Sequence, residues 1–438
     1  MKRRFTFFLP MVLTLAVAAP GPPPAAMAAD VLEANGDLQW RRGNMHTHSH
    51  WSDGDDYLEM IALWYRDHGY DFLVFTDHNV LADTVRWINV AKSKGGATAY
   101  GVLKARFPRL ARERIRREGE RDVLEVRLST FQEVAEQFNN PGKFLLIQGE
   151  EITDSFETLP IHLNVSNVVD VIPPTAGNSV YDTIQGNIRA AHAQRERTGQ
   201  PMIIHLNHPN FGYAVTAEDL ARLVGERFFE VYNGYPGVHN SGDEEHADTE
   251  RVWDIALTRR LAELRLPLMY GLATDDSHEY HNIPSRASEP GRAWVMVLTK
   301  QLTANALIES LEAGRFYSSS GVTLKRIETS SEIFSVEIEP VEGESYTIEF
   351  IGTRKGYDAT SQPVLNKEGQ EIRATRRYSR DVGETFAKVE GTKGVYRLKG
   401  DEIYVRARIT SSAKHPNPSE LGDPQLAWCQ PVMLEGSP

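Results

Sequence analysis

Histidine and carboxylate side chains recur in short groups between residues 44 and 278, and such groups could bind metal ions. Imidazole and carboxylate ligands without thiolate suit zinc, manganese or iron. A single histidine near a strand end is more often a hydrogen-bonded structural residue, but recurrence after several predicted strands favours metal binding. The groups are His46 and His48 with Asp53, Asp77 with His78, Glu150 with Glu151, His162, His205 with His208, and Asp275 and Asp276 with His278.

The number of these groups bears on how many ions could bind. In an extended chain, residues two apart point to the same side, so His46 and His48 could contact one ion. All the groups together offer more ligands than one tetrahedral site accepts. The sequence therefore predicts two or three divalent ions, Zn, Mn or Fe.

Short apolar runs precede or contain most of these groups. Near-continuous apolar runs are typical of strands buried on both faces, as in parallel sheets and barrels. Helical patterns lie between them at 57–68, 250–264 and 303–313. This alternation predicts an α/β barrel with its site at the carboxyl ends of the strands. The runs are residues 72–75, 144–147, 162–165, 202–204, 228–232, 268–272 and 294–298.

Two segments differ from this rhythm. Residues 103–127 contain eight Arg, one Lys and several Glu, which predicts a solvated, charged helical insertion at about 97–140 rather than a nucleic-acid patch. Beyond residue 320, apolar and polar residues alternate between Gly, Pro and Asp turns, which predicts a small all-β, sandwich-like domain. The predicted domains are thus 29–320 and 321–438.

Composition and the N-terminus narrow the class of protein. The net charge is −12 and there is a single Cys, which argues against nucleic-acid partners and excludes intrachain disulfide and zinc-finger frameworks. Residues 1–28 have a basic start, an apolar run and an Ala-Met-Ala end, which predicts a signal peptide and a secreted or periplasmic protein. The apolar run is shorter than a membrane span, so no stable membrane anchor is expected.

The ordered motifs resemble those of the polymerase and histidinol phosphatase (PHP) metallohydrolases. They are His-x-His with a downstream Ser-Asp-Gly, Thr-Asp-His, Gly-x-Glu, a lone His, His-Pro and Asp-x-His, across roughly residues 40–290. The apparent signal peptide and C-terminal β domain also resemble the branch that includes carbaryl-hydrolase-like metallohydrolases. The resemblance implies a distorted seven-stranded (β/α) barrel and a hydrolase.

The resemblance also implies roles for single residues. The first ion would be bound by His46, His48 and Asp276, with Glu151 bridging to a second ion held by His162 and His208. A third ion, or the substrate, would contact Asp53, His78 and His278. Some relatives have His where this chain has Asp53, so the filling of the third site stays open. The motif places the bridging carboxylate directly before Ile-Thr, which favours Glu151 over Glu150.

The remaining candidates would support the ligands or contact substrate. We expect Asp77, Glu150, His205 and Asp275 to lie around the ligands. Asn233 and His239 follow the 228–232 run and either face the pocket or build a turn. Arg286 and Arg292 either pair with a phosphate oxygen or are surface charges.

The predicted activity follows from metal electrostatics. Two cations that share Glu151 would make hydroxide available at neutral pH and would stabilise charge in the transition state. The expected substrate is a small phosphate mono- or diester, with Asp53 or His278 protonating the leaving group. A carboxylic or carbamate ester is the alternative substrate, and a metal-stabilised binding module without turnover is the reading from another class. The sequence leaves the oligomeric state open.

Overall fold

The predicted apolar runs all form strands in the computed structural model, which describes residues 30–433. The predicted signal peptide, residues 1–28, lies outside the described residues. In chain order the strands are β1 Asp30–Glu33, β2 Gln39–Asn44, β3 Phe72–Phe75, β4 Trp87–Asn89, β5 Glu113–Glu118, β6 Arg121–Arg127, β7 Leu145–Phe156, β8 Leu159–Ser166, β9 Ile203–Leu206, β10 Phe228–Asn233, β11 Tyr270–Thr274, β12 Trp294–Thr299, β13 Phe316–Ser319, β14 Leu324–Thr329, β15 Ile333–Ile338, β16 Tyr346–Arg354, β17 Ser361–Gln362, β18 Arg377–Tyr378, β19 Glu384–Glu390, β20 Lys393–Arg397, β21 Glu402–Lys414 and β22 Pro424–Val432.

Seven α-helices are present among the described residues, and the three helical patterns predicted from sequence are confirmed. Amphipathic spacing buries one face of α1 (Leu58–Asp67) and of α7 (Ala304–Glu312), whereas α6 (Thr249–Thr258) is buried on nearly all sides. None of the described helices is long and apolar enough to cross a membrane. The helices are α1 Leu58–Asp67, α2 Gly96–Arg106, α3 Phe131–Phe138, α4 Val180–Thr198, α5 Ala217–Arg222, α6 Thr249–Thr258 and α7 Ala304–Glu312.

One large mixed sheet carries the architecture and confirms the mixed α/β class. Its hydrogen-bonded order is β11-β10-β9-β8-β7-β3-β2-β12-β13-β22-β21-β16-β19. The pairs β2–β3, β3–β7, β9–β10 and β10–β11 are parallel. The pairs β7–β8 and β8–β9 are antiparallel, because a two-residue turn rather than a helix joins β7 to β8. The seven-stranded barrel stays a prediction.

The charged insertion differs from its prediction. Residues 113–127 form the β5–β6 hairpin, which pairs with β4 in a separate three-stranded sheet. The prediction of a helix there is wrong, although α2 occupies the start of the insertion. Cross-strand ion pairs such as Arg114 and Arg116 with Glu125 explain the interleaved charges.

The C-terminal strands continue the large sheet. β13 pairs with β22, so residues before and after position 320 share one hydrogen-bonded ladder. The first described strand, β1, pairs with β14 of a four-stranded sheet, β1-β14-β15-β20. This second sheet packs on β16, β21 and β22 around a common apolar core, which is the two-layer arrangement that an all-β domain needs to bury its apolar faces. The domain boundary at 320 stays a prediction.

Candidate metal centre

Strand ends bring the predicted ligands together at one place. His46 and His48 follow β2, Asp77 and His78 follow β3, His208 follows β9, and Asp276 and His278 follow β11, while Glu151 and His162 lie within β7 and β8. Short bridges lock these segments side by side, since Thr47 pairs with Ser277 and His78 pairs with Glu151. The extension of β7 past its neighbours therefore places Glu151 among histidines from four other segments.

The first group is made of four buried atoms that face one another. The Nε2 atoms of His46 and His48 lie 3.4 and 3.2 Å from Glu151 Oε2, and each lies 3.2 Å from Asp276 Oδ1. None of these four atoms has a hydrogen-bond partner among the described residues. Buried polar atoms without partners are costly.

The spacing of these atoms suits a metal ion. Ligand bonds of about 2.0–2.1 Å in a tetrahedral site imply ligand atoms roughly 3.3 Å apart. Four of the six separations, those between an imidazole nitrogen and a carboxylate oxygen, are 3.2 to 3.4 Å and match that edge. His46, His48, Glu151 and Asp276 therefore fit a divalent cation.

The second oxygen of Glu151 faces another group. Its Oε1 lies 2.9 Å from His162 Nδ1 and 3.7 Å from His208 Nε2, and it accepts a hydrogen bond of 2.8 Å from Asn207. One carboxylate thus points its two oxygens at two sets of imidazoles, which is the geometry a bridging ligand needs.

A third group surrounds Asp53. Its Oδ1 lies 3.4 Å from His278 Nε2, 3.6 Å from His78 Nε2 and 3.8 Å from His48 Nδ1. The Asp53 side chain is 56% exposed, unlike the buried ligands of the first group. His78 Nδ1 is hydrogen-bonded to the Thr153 hydroxyl and lies 2.9 Å from Glu151 Oε2 without forming a hydrogen bond to it. His78 therefore lies between the third group and Glu151.

Electrostatics separate the two adjacent glutamates. Burial would raise the pKa of Glu151, but the charges of His78, His46 and His162 hold that pKa well below its usual value. For Glu150, burial raises the pKa to about 7. The Glu150 side chain turns away and accepts a hydrogen bond from the Ile172 backbone, at 2.8 Å. Glu151 is the carboxylate that faces the histidines.

Several other predicted residues lie around the ligands without facing the cavity. Asp77 accepts hydrogen bonds from Ser49 and Ser52, which fixes the loop that carries Asp53. Asp275 accepts backbone hydrogen bonds from residues 291–293 and one from the Tyr65 hydroxyl. His205 is fully buried beneath His46, with Nε2 3.4 Å from Glu230 Oε1.

Among Asn233, His239 and the two arginines, Asn233 contacts a predicted ligand. Its amide nitrogen donates to Asp276 Oδ2, at 3.1 Å. His239 is exposed and stacks on Tyr213, so it does not face the cavity.

Neither predicted arginine reaches the site. Arg286 is exposed and outside the cavity lining. Arg292 is buried, and its guanidinium donates to the carbonyls of Gly234 and Asn417. It is neither a phosphate contact nor a surface charge, because it joins two loops of the protein.

The groups line a cavity of about 130 Å³. One side consists of histidine and carboxylate side chains that could bind a metal ion, and the other side, the aromatic wall, is formed by Phe211, Tyr235 and Val238. Phe211 packs edge-on against His208 at 5.1 Å, and Tyr235 packs against His278 at 5.6 Å, both measured between ring centroids. The described residues that line the cavity include no Lys or Arg.

Sequence reasoning missed Glu230 and this aromatic wall. Glu230 is a fully buried carboxylate that lies 2.7 Å from His46 Nδ1. A charged residue inside the otherwise apolar run 228–232 was the available signal, because buried charges need specific partners. Phe211 lies in a short helical turn and Tyr235 in a loop, where aromatic residues have no periodic pattern to mark them.

Comparisons with known proteins give distant structural neighbours only. No protein-family model and no curated protein matches the chain. A two-domain protein from Bacteroides vulgatus containing a predicted PHP-like metal-dependent phosphoesterase is 14% identical with TM-score 0.38, covering 90% of this chain and 96% of that one. A candidate metal-dependent phosphoesterase from Bifidobacterium adolescentis is 13% identical with TM-score 0.28, covering 54% and 87%.

A further neighbour is an amidohydrolase from Chromobacterium violaceum, whose structure contains sulfate and no metal. It is 12% identical with TM-score 0.27, covering 55% of this chain and 88% of that one. TM-scores this low carry no argument about activity, so the function of this chain rests on the geometry of its own site.

Proposed function

We propose that this chain is a metal-dependent hydrolase that cleaves small phosphate mono- or diesters. The observation that carries the proposal is the set of four partnerless buried atoms at 3.2 to 3.4 Å beside a second set around the other oxygen of Glu151. Such a pair of sites suits two divalent cations that share one carboxylate. The motif order shared with the PHP metallohydrolases supports the same activity. The resemblance to their carbaryl-hydrolase-like branch rests instead on the signal-peptide pattern and the C-terminal β domain, and we include this branch and the seven-stranded barrel in the proposal.

The cations would supply the chemistry of the reaction, and the protein side chains would hold the cations in place. Divalent ions at such a site supply a nucleophile at neutral pH and stabilise the charge that develops on phosphate oxygens. His46, His48 and Asp276 would hold one ion, and His162 and His208 another, with Zn, Mn and Fe all compatible with these ligands. Glu151 would keep the two ions close together. A third ion would contact Asp53, His78 and His278.

Leaving-group protonation would come from the third group. His278 and Asp53 both line the cavity. His278 is nearly buried and lies beside Asp276, whereas Asp53 faces solvent. We propose His278 or Asp53 as the proton donor, and an alanine variant that retains full turnover excludes that residue.

A carboxylic or carbamate ester is the second candidate substrate. The observation that favours it is the lining of the cavity, which among the described residues holds no cationic side chain to pair with a phosphate. The same cations could activate attack on an acyl carbon.

Turnover on matched substrates tests the proposal. The mature protein loaded with zinc, manganese or iron is assayed on nitrophenyl phosphate, a bis-nitrophenyl phosphate diester and nitrophenyl acetate. We expect phosphoester turnover in the wild type that is lost in Asp276→Ala and Glu151→Gln and kept in Glu150→Gln. Glu150 is the matched control because it is an adjacent buried glutamate whose side chain turns to Ile172. Turnover confined to the acetate would instead establish the second candidate.

We further propose that the protein is exported. The support is the signal-peptide pattern of residues 1–28. Fractionation of expressing cells and N-terminal sequencing would test it. We expect a mature chain that begins near residue 29 outside the cytoplasm, and an uncleaved chain in the cytoplasm would contradict export.

A further inference from the structure

Glu230 is a buried charge in the middle of an apolar strand. It lies in β10 between Phe229 and Val231, and all three residues are buried. An ionised carboxylate in such surroundings is costly unless specific donors compensate it. The donors that surround Glu230 therefore indicate why a glutamate occupies this position.

Both oxygens of Glu230 are used, and the donors come from four segments. Oε1 lies 2.7 Å from His46 Nδ1 and accepts from the Thr274 hydroxyl at 2.8 Å. Oε2 accepts from the His208 backbone N–H at 2.8 Å and from the Asn233 amide at 2.7 Å. The carboxylate thus ties the segment after β2 to the ends of β9, β10 and β11.

We propose that Glu230 is a positioning residue for the metal centre, acting on His46, His208 and Asp276. This inference rests on the metal site of the proposed function. A carboxylate next to Nδ1 keeps the proton on that nitrogen, so the Nε2 lone pair of His46 points into the first group. The buried Nε2 atom of His46 forms no hydrogen bond with the described residues, so its lone pair is available to a metal ion.

Glu230 also contacts His208 directly and Asp276 through Asn233. The backbone bond to His208 fixes the start of the loop that carries this ring toward Glu151. Asn233 donates to Glu230 Oε2 and also to Asp276 Oδ2. One buried carboxylate therefore sets the relative positions of three ligands that belong to different strands.

Substitution of Glu230 by glutamine tests whether the carboxylate positions the ligands or only fills space. Glu230→Gln keeps the volume of the side chain, but its amide nitrogen cannot accept a hydrogen bond. Either the His46 and Thr274 donors or the His208 and Asn233 donors then face another donor. The ligand positions should shift even if the strand stays folded.

Metal affinity of the purified full-length mature protein tests the proposal. Zinc or cobalt is titrated against a chelating indicator, and the cobalt absorption spectrum reports the ligand geometry. We expect Glu230→Gln to bind about 10- to 100-fold more weakly than the wild type and to change the cobalt spectrum. The matched control is Glu226→Gln. Glu226 is a buried glutamate four residues earlier, and among the described residues its carboxylate accepts hydrogen bonds from two backbone N–H groups, at 2.6 and 3.0 Å. This variant should bind metal as the wild type does.

A second variant covers the case in which Glu230→Gln does not fold. Asn233→Ala removes the amide that joins Glu230 to Asp276, together with the oxygen that accepts from the Tyr235 backbone N–H. It leaves the contacts of Glu230 with His46 and His208 in place, so we expect a smaller loss of affinity from it. If both variants bind metal like the wild type and lose only stability in the metal-free state, Glu230 is a structural ion-pair partner and the proposal is overturned.

The readout is independent of ester turnover. A wild type that binds metal but hydrolyses no ester refutes the proposed activity and leaves the role of Glu230 to be decided by the affinities. A wild type that binds no divalent ion overturns both.

Discussion

At the scale of single residues, the site combines fixed ligands with an aromatic wall. Phe211 belongs to a short helical turn after β9, and Asn210 ties that turn to the loop after β10 by donating to the carbonyls of His239 and Ala247, both at 2.9 Å. Tyr235 accepts a hydrogen bond from Ser419 of the C-terminal region through its backbone carbonyl. The wall is therefore held from two sides before any substrate binds.

Phe211→Ala should weaken binding of substrates with aromatic leaving groups. The ring lies against the His208 imidazole, where it would contact the leaving group of an ester bound at the centre. Loss of such a contact typically costs about 0.5–1.5 kcal/mol, so KM for nitrophenyl esters should rise about 2- to 12-fold with a smaller effect on kcat. Steady-state kinetics give both constants.

Tyr213→Ala is the matched control for this prediction. Tyr213 lies in the same turn, but its ring stacks on His246 at 3.6 Å and does not line the cavity. It should leave KM unchanged. Equal effects of the two variants would mean that the turn, and not the Phe211 ring, matters to the substrate.

At the scale of elements, α6 is joined to the C-terminal strands by a buried ion pair. Arg406 of β21 donates two hydrogen bonds of 2.8 Å to Asp254 and a third of 2.8 Å to Glu250. Burial would lower the pKa of Arg406, but the charges of Asp254 and Glu250 raise it above its ordinary value. This cluster joins strand β21 to helix α6, which packs on β10.

Arg406→Met should destabilise the protein by roughly 3–5 kcal/mol. The substitution leaves the Asp254 carboxylate buried with the Tyr404 hydroxyl, at 2.8 Å, as its remaining side-chain donor. Urea unfolding measures the free-energy difference. Arg117→Met is the control, because the Arg117–Asp122 pair is exposed on both sides and such pairs contribute little. A loss as small as that of Arg117→Met would show that the cluster does not join the two elements.

The sequence predicted the elements better than their connections. Apolar runs predicted the buried strands, and amphipathic spacing predicted α1, α6 and α7. The β7–β8 hairpin was missed because β7 continues past its apolar start through mostly polar residues as far as Phe156. The β5–β6 hairpin was missed because alternating charges fit a solvated helix as well as an exposed sheet.

The candidate site divides in the same way. Motif order was enough to favour Glu151 over Glu150 and to select nine candidate ligands that the structure brings together. Glu230, Phe211 and the actual contacts of Arg292 depend on which loops meet in space. Local patterns along the sequence do not show which loops meet.

At the scale of the whole molecule, metal binding should couple to stability. The first group concentrates four partnerless buried atoms, and an ion that binds only the folded state stabilises it by mass action. A chelator should therefore lower the melting temperature of the wild type, and added zinc should restore it. Asp276→Asn removes a ligand charge and should show a much smaller difference between metal-loaded and metal-free protein in calorimetry. Equal shifts in both proteins would place the stabilising ion elsewhere.

A second whole-molecule property is pH dependence, to which Glu226 should contribute. Burial raises the pKa of Glu226 to about 8 in the folded chain, against about 4.3 when unfolded. Above pH 4.3 the unfolded state has released this proton while the folded state keeps it, so the free energy of unfolding falls as pH rises. The fall ends near pH 8, where the folded state also ionises. The stability from this group is therefore present in full below pH 4.3 and lost by pH 8.

Glu226→Gln removes this titration and isolates its effect. The contribution is of the order of a few kcal/mol, at 1.36 kcal/mol per pKa unit. Urea unfolding of metal-free wild type and variant at pH 5, 6.5 and 8 should show the variant gaining on the wild type as pH rises, because other groups titrate equally in both. Parallel stability curves would mean that Glu226 is already ionised in the folded protein. Its two short bonds to the backbone N–H groups of Arg227 and Phe228 would then outweigh its burial.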